Sequence, residues 1–378
     1  MKKLYLAMVI AAIMLVLSAC SNEGSATESS DSSGESAAPG EGSEKVGFIF
    51  VGTKDDYGYN QAAYDGSVAV EEAFPDMEIL RSENVPETAE AERVMEEMIR
   101  NGAKVIFPTS YGHLEPAMNV AERHPDVAFF HQGGLKNAEN LGTYFGNIWQ
   151  AAYLSGVAAG SVSESGNLGY VVSFPIPQVL LNVNAFTLGA QSVNPDATTT
   201  VAFTGSWCDP GQQASSVNSL AEQGVDVISQ HQDCTKTVIE TADRLDIKSV
   251  GYHADASTLA PETWVTGAIW NWGDLFVDMT TTAIEGNFKG SEYDGIYRGG
   301  LSEGVVELAP FGNQVPDDVK TLVEEEKAAI ESGEFHPFAG PIKSQNGDVK
   351  IEEGVTPTTD ELEAVDYFVE GVIGNISE

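Results

Sequence analysis

Aromatic rings recur in this chain beside amide and carboxylate groups, each time just after a short apolar run. The run at 46–51 (VGFIFV) leads into Tyr57-Gly58-Tyr59-Asn60-Gln61. Later come Phe174-Pro175-Ile176-Pro177, Gly205-Ser206-Trp207-Cys208-Asp209, Gln230-His231-Gln232-Asp233, His253-Ala254-Asp255 and Trp270-Asn271-Trp272. Planar rings stack on flat ligands, and Asn, Gln and Asp read hydrogen-bonding edges. The set suits a flat heterocycle with several donors and acceptors. It does not suit a phosphate, because neither a Walker pattern nor an Arg/Lys cluster accompanies it. Tyr59, Asn60, Phe174, Trp207, Asp233, Asp255 and Trp272 are the candidate ligand-binding residues. The plainer alternative for Trp207, Trp270 and Trp272 is that they pack a hinge. Alternation along a strand turns Trp270 and Trp272 the same way.

Catalysis has weaker support. Asp55, Asp56 and Asp233 could serve as acid and base in a secreted nucleosidase-type hydrolase. Neighbours in sequence, such as Asp55 and Asp56, rarely point at one centre, so no catalytic residue and no cofactor is assigned. His113, His131, His231 and His253 lie far apart with no i,i+4 pair. Hydrogen-bonded loop histidines are therefore expected, and no metal site.

The elements that must position these groups alternate from Lys45 onward. Buried-strand runs (46–51, 105–108, 127–131, 167–173, 225–229) are separated by stretches with helical spacing (62–74, 89–101, 182–193, 235–245). This rhythm predicts an α/β fold of two doubly wound parallel-sheet lobes, joined by a hinge that the chain crosses three times. In such sheets ligands sit beyond the carboxyl ends of the strands, so two facing lobes would bring both sets of loops onto one ligand. Lobe one is expected over 45–147 and 254–296, and lobe two over 148–253 and 297–378. The late strand 264–270 is assigned to lobe one.

The first twenty residues read as a signal peptide. Lys2 and Lys3 precede an apolar stretch too short to span a bilayer comfortably, and Leu17-Ser18-Ala19-Cys20 closes it. Cys20 fits a lipobox cysteine, which implies an extracytoplasmic protein tied to the cell membrane by a lipid anchor. Residues 21–44 are mostly Ser, Gly, Glu, Ala and Asp, the composition of a flexible, solvated linker. The whole chain carries 57 Asp+Glu against 19 Lys+Arg, a net charge of −38. That surface repels nucleic acid and anionic lipid headgroups. It suits a high-salt habitat or an acidic secreted protein equally. Cys208 and Cys234 fall in neighbouring strand-end loops, where a disulfide or two free thiols are both open.

Several motifs, in order, resemble the basic membrane protein (BMP) family of substrate-binding lipoproteins of ABC importers. They are Tyr57-Gly58-Tyr59-Asn60-Gln61-Ala62-Ala63-Tyr64-Asp65-Gly66, Tyr144-Phe145-Gly146-Asn147, Asn184-Ala185-Phe186-Thr187-Leu188-Gly189, Ser206-Trp207-Cys208-Asp209-Pro210 and Pro337-Phe338-Ala339-Gly340-Pro341. The resemblance implies a type I periplasmic-binding-protein architecture and a monomer that hands a purine base or nucleoside to an ABC permease. A surface sensor of the same fold is the alternative. Carried over by position, Tyr59 resembles the family's stacking aromatic and Asn60 its base-reading amide. Trp207 and Phe174 resemble ring partners from the second lobe, and Asp255 a hinge carboxylate. Where nucleoside receptors carry a sugar-reaching Lys, this chain reads Trp270-Asn271-Trp272-Gly273. Their glycine-rich loop is replaced by Ser173-Phe174-Pro175-Ile176-Pro177. Both departures imply a smaller, more aromatic pocket that favours a free base over a nucleoside.

Overall fold

The computed structural model describes residues 37–376. Cys20 and most of the expected linker lie outside them. The linker's expected end at residue 44 is too late, because Gly40 is buried and donates its N–H to the Asp126 carbonyl at 2.9 Å. At φ +82°, and with Ala283 and Ala128 against it, only glycine fits there.

The first sheet is built from β1 (Lys45–Ile49), β2 (Glu78–Ser82), β3 (Val105–Pro108), β4 (Ala128–Gln132) and β5 (Leu141–Gly146), with helices α1 (Tyr59–Ala73), α2 (Ala89–Arg100) and α3 (Leu114–Arg123) between them. The chain then supplies α4 (Trp149–Val162), β6 (Asn167–Val172), α5 (Pro177–Val193), β7 (Thr198–Phe203), α6 (Pro210–Glu222), β8 (Val227–His231), α7 (Lys236–Arg244), β9 (Lys248–His253) and β10 (Trp264–Trp270). After these come α8 (Gly273–Ile284), β11 (Ile296–Gly299), β12 (Val306–Leu308), α9 (Asp317–Glu331), a small hairpin β13 (Ile342–Lys343) and β14 (Val349–Ile351), α10 (Thr359–Glu363) and β15 (Val372–Ile373).

The first sheet runs β11-β5-β4-β3-β1-β2 and the second β12-β10-β9-β8-β6-β7-β15. All pairings are parallel except β12 against β10. Strand order reverses beside β1 in one sheet and beside β6 in the other, so each sheet has a topological switch point at the carboxyl end of those strands. Residues of β3, β4 and β8 are buried throughout, as strands covered on both faces require. Alternate side chains divide between two layers. Phe48, Phe107 and Phe130 face α8, with Phe107 4.8 Å from Phe276, while Ile49, Ile106 and Phe129 face Met95, Met98 and Val120 on α2 and α3. Among the described residues no helix is long and apolar enough to cross a membrane.

The chain passes between the sheets at 147–148, 271–272 and 300–305. The late strand 264–270 therefore differs from expectation: it is β10 of the second sheet, and only α8 and β11 return to the first. Its place is set by side-chain shape. A Cβ on Gly251 of β9 would stand 2.2 Å from the Trp264 ring, so the absence of one makes room for that indole. The second and third crossings follow later than the sequence pattern suggested.

Helix α4, rich in Ala and Gly, is buried on nearly every face and lies against α5 with almost no side chain between them. A Cβ on Gly189 would stand 2.0 Å from the Tyr153 carbonyl oxygen, and one on Gly156 2.0 Å from that of Phe186. Gly189→Ala should destabilise the protein by about 2–4 kcal/mol in urea denaturation, because the helices must separate. A neutral or stabilising result, as helix propensity alone would give, would show that the contact is not tight.

Candidate functional site

The loop from β1 to α1 is organised by one carboxylate. Asp56 Oδ1 accepts from the Gly58 N–H at 2.9 Å and the Gln61 N–H at 3.0 Å; Oδ2 accepts from the Asn60 N–H at 3.0 Å and Asn60 Nδ2 at 2.8 Å. Four donors thus hold Asp56 over the first turn of α1, where the free N–H groups and the helix dipole favour an anion. Burial nevertheless pushes its carboxyl above the ordinary range. Asn60 Oδ1 accepts from the Gly52 N–H at 2.9 Å. Asn60, expected to read a ligand edge, is 4% exposed and has both polar side-chain atoms engaged inside its own loop. Its position is that of a brace for the loop carrying Tyr59.

That loop touches the second sheet directly. The Tyr59 N–H donates to the Asp233 carbonyl at 3.1 Å, and the Thr235 N–H to the Asp56 carbonyl at 3.3 Å. Thr235 Oγ1 donates to the Tyr57 carbonyl, and Lys236 Nζ lies 5.7 Å over the Tyr57 ring. A Cβ on Gly58 would stand 1.9 Å from the Asp233 oxygen, so the approach depends on glycine. Tyr57 (φ 55°) and His253 (φ 72°), both non-glycine residues, occupy the left-handed region at this seam. Such strain persists only where the surroundings impose it.

On the second sheet, Cys208 and Cys234 form a disulfide with Cα atoms 5.3 Å apart. It ties the loop after β7 to the loop after β8, and the Asp233 N–H donates to the Trp207 carbonyl at 2.8 Å. Trp207 meets Phe174 edge-on at 5.4 Å and His231 at 5.9 Å. Tyr59, Phe174, Trp207 and Asp233 are therefore brought to one place from three loops of the second sheet and one of the first. The Asp233 side chain is set deep among neighbouring groups yet keeps 24% of its surface accessible. Burial holds its carboxyl well above the ordinary range, and the neighbouring charges of Asp56 and Glu87 add to the effect. Burial likewise pushes the Tyr59 hydroxyl up, with Asp233 beside it and Gln132 within reach.

Two expected residues lie elsewhere. Asp255 is exposed and accepts from the Ser257 N–H at 2.9 Å, capping a short turn, because β9 ends before it and the chain leaves the cleft. Trp272 is 1% exposed and stacks between Trp270 at 4.7 Å and Phe276 at 6.0 Å. It packs the hinge at the second crossing, as the plainer reading of the tryptophans had it. Sequence reasoning left out Gln132 and Tyr144, and set His253 aside. Gln132 Oε1 accepts from the Tyr144 hydroxyl at 3.1 Å. Gln132 and His253 are the last residues of β4 and β9, which is the one signal that could have marked them. The imidazoles are neutral: burial pushes His131 and His231 down to about 3 and His253 well below its usual value. Among the described residues no three His, Cys, Asp or Glu side chains converge as a metal site.

Comparison with known proteins extends this picture. A family model described as ABC transporter substrate-binding protein PnrA-like matches residues 43–336. A purine-binding protein of Brucella abortus is 40% identical over 337 residues, 89% of this chain and 95% of that protein. A Haloferax volcanii protein provisionally named an ABC transporter glucose-binding protein is 31% identical over 343 residues, 90% of this chain and 84% of its own. A solute-binding protein of an ABC transporter system from Conexibacter woesei superposes with a TM-score of 0.66 at 22% identity, covering 77% of this chain and 97% of its own. The likeness in structure establishes the fold, the type I periplasmic-binding-protein fold.

Two outcomes follow from the seam. Gly58→Ala should keep a cooperative melt but lower ligand affinity about 100-fold or more, because closure is blocked while each lobe is untouched. Unchanged affinity by calorimetry would show that the seam does not close on the ligand. For Asp233, the folded state holds the proton more tightly than the unfolded chain, so the group lowers stability as pH rises above the ordinary carboxylate range. Asp233→Asn should therefore raise the melting temperature of the ligand-free protein at pH 7 by ~2 °C or more while weakening the ligand. A lowered melting temperature would contradict a destabilising buried charge.

Proposed function

Because the chain belongs to the PnrA-like family of ABC transporter substrate-binding proteins, we propose that it captures a purine as the free base between its two lobes and delivers it to a membrane permease. The protein acts outside the cytoplasm as a monomer, held at the membrane by a lipid on Cys20. The observation that carries this reading is the meeting of Tyr59 with Asp233, Trp207 and Phe174 across the seam. Rings from both lobes grip a flat base, and a buried carboxylate selects its edge. Ligand contacts from both sides favour the closed form, which is the form a permease distinguishes.

A binding protein is favoured over a hydrolase by how the carboxylates are held. Asp56 is tied down by four donors, and Asp55 is exposed. Glu87, the other carboxylate near Asp233, is engaged by the Ser110 hydroxyl and the Gly112 N–H. The purine reading also draws on the relative named for purine binding. Sugar binding, the name given to the Haloferax relative, is the rival ligand class.

Calorimetry on dialysed protein with hypoxanthine, guanine, adenine, inosine, adenosine and glucose tests this. At least one base should bind with micromolar affinity or tighter, nucleosides about tenfold or more weakly, and glucose not at all. Glucose binding without any purine binding would overturn the assignment. Nucleosides binding more tightly than bases would overturn the small-pocket argument.

A further inference from the structure

His253 closes the inner end of the cleft, and its chemistry is decided by a neighbour. Trp270 Nε1 can only donate, and it lies 2.8 Å from His253 Nδ1. Nδ1 must therefore accept, so the neutral imidazole carries its proton on Nε2. His253 is 2% exposed, and Nε2 has no hydrogen-bond partner. It stands 4.0 Å from Asp233 Oδ1. The ring is fixed on every side: Tyr252 at 3.9 Å, Tyr59 at 5.2 Å, His231 at 5.8 Å and Trp270 at 6.3 Å. Its backbone is held at φ 72°. The left-handed backbone is unfavourable for a histidine and persists only where the surroundings impose it.

We propose that His253 and Asp233 act together as a donor and an acceptor that read the imidazole edge of an unsubstituted purine. Asp233 takes the ring N–H, His253 donates to the acceptor beside it, and Trp270 fixes which nitrogen of His253 carries the proton. The inference rests on the purine reading above and deepens it. It names the ligand edge and makes His253 and Trp270 specificity-determining residues. The pair presents one donor and one acceptor 4.0 Å apart, the complement of an imidazole edge that carries one N–H and one acceptor nitrogen either side of C8. A sugar on the nitrogen that faces Asp233 removes that N–H.

The test uses the unmodified protein and a methylated series: hypoxanthine and its 1-methyl, 7-methyl and 9-methyl derivatives, by calorimetry. Methylation at either imidazole nitrogen removes the one imidazole N–H and should weaken binding about 50-fold or more, the loss of a hydrogen bond to a carboxylate, while 1-methylation changes it less than about fivefold. Nitrogen-15 chemical shifts of His253 should report the Nε2–H tautomer, and in Trp270→Phe the Nδ1–H form should appear. If hypoxanthine binds and either imidazole-methylated base binds within about threefold of it, the edge assignment is wrong while the purine reading stands. Loss limited to 1-methylhypoxanthine also overturns it. An Nδ1–H tautomer in the unmodified protein overturns the role of Trp270. If hypoxanthine itself fails to bind, the purine reading falls and the edge assignment falls with it.

Discussion

The close approach of Gly58 and Tyr59 to the carbonyl of Asp233 is the constraint around which the rest of the site is arranged. Two sheets that share no strand pairing are brought to hydrogen-bonding distance along the 56–59 loop, and at Gly58 only a residue without a side chain permits it. Everything on the first sheet's side serves to present that peptide. Asp56 gathers four donors, Asn60 braces the loop, and α1 begins at Tyr59 itself. On the other side the disulfide and the Trp207 carbonyl hold Asp233 in register. In the proposed cycle, closure would be defined by these protein–protein contacts, and a ligand would contribute through the difference in what it touches in the closed and open forms.

The interior next to this seam is electrostatically unusual. An acidic protein has placed a carboxylate in an enclosed space where its nearest charged neighbours are also acidic. The surrounding imidazoles are kept neutral by burial and supply no compensating charge. A carboxylate so placed is stabilised most by a ligand that brings N–H donors to it. The stack of His253, Trp270, Trp272 and Phe276 runs from the cleft through the second crossing into the first sheet's core. The ring stack that begins at His253 beside Asp233 therefore ends at the hinge residues Trp270 and Trp272.

Much of this was legible from residue patterns because parallel strands buried on both faces read as apolar runs, and their carboxyl ends are where function collects. Tyr59, Trp207, Phe174 and Asp233 follow such runs directly. The membership of β10 was not legible. The run Trp264 to Trp270 would suit either sheet, and its place depends on Gly251 accepting the Trp264 ring, a complementarity between residues far apart in sequence. The bracing of its own loop by Asn60 was not legible for a different reason. An amide after a strand looks the same whether it faces a ligand or its own loop, and the four-fold capping by Asp56 decides the matter only in three dimensions. Gln132 and His253 end apolar strands and were masked by them, and the tryptophans divided between wall and hinge in a way that alternation alone could not assign.

The central claim is that a flat base is held between the lobes by closure at the Tyr59–Asp233 peptide. Amide hydrogen exchange at Tyr59, with and without saturating hypoxanthine, addresses it most directly. The account predicts that ligand slows exchange of the Tyr59 N–H about tenfold or more, together with slower exchange in the loops at 205–209 and 232–235 of the opposite lobe. Equal exchange at Tyr59 in both states, or slowing confined to one lobe, would contradict it.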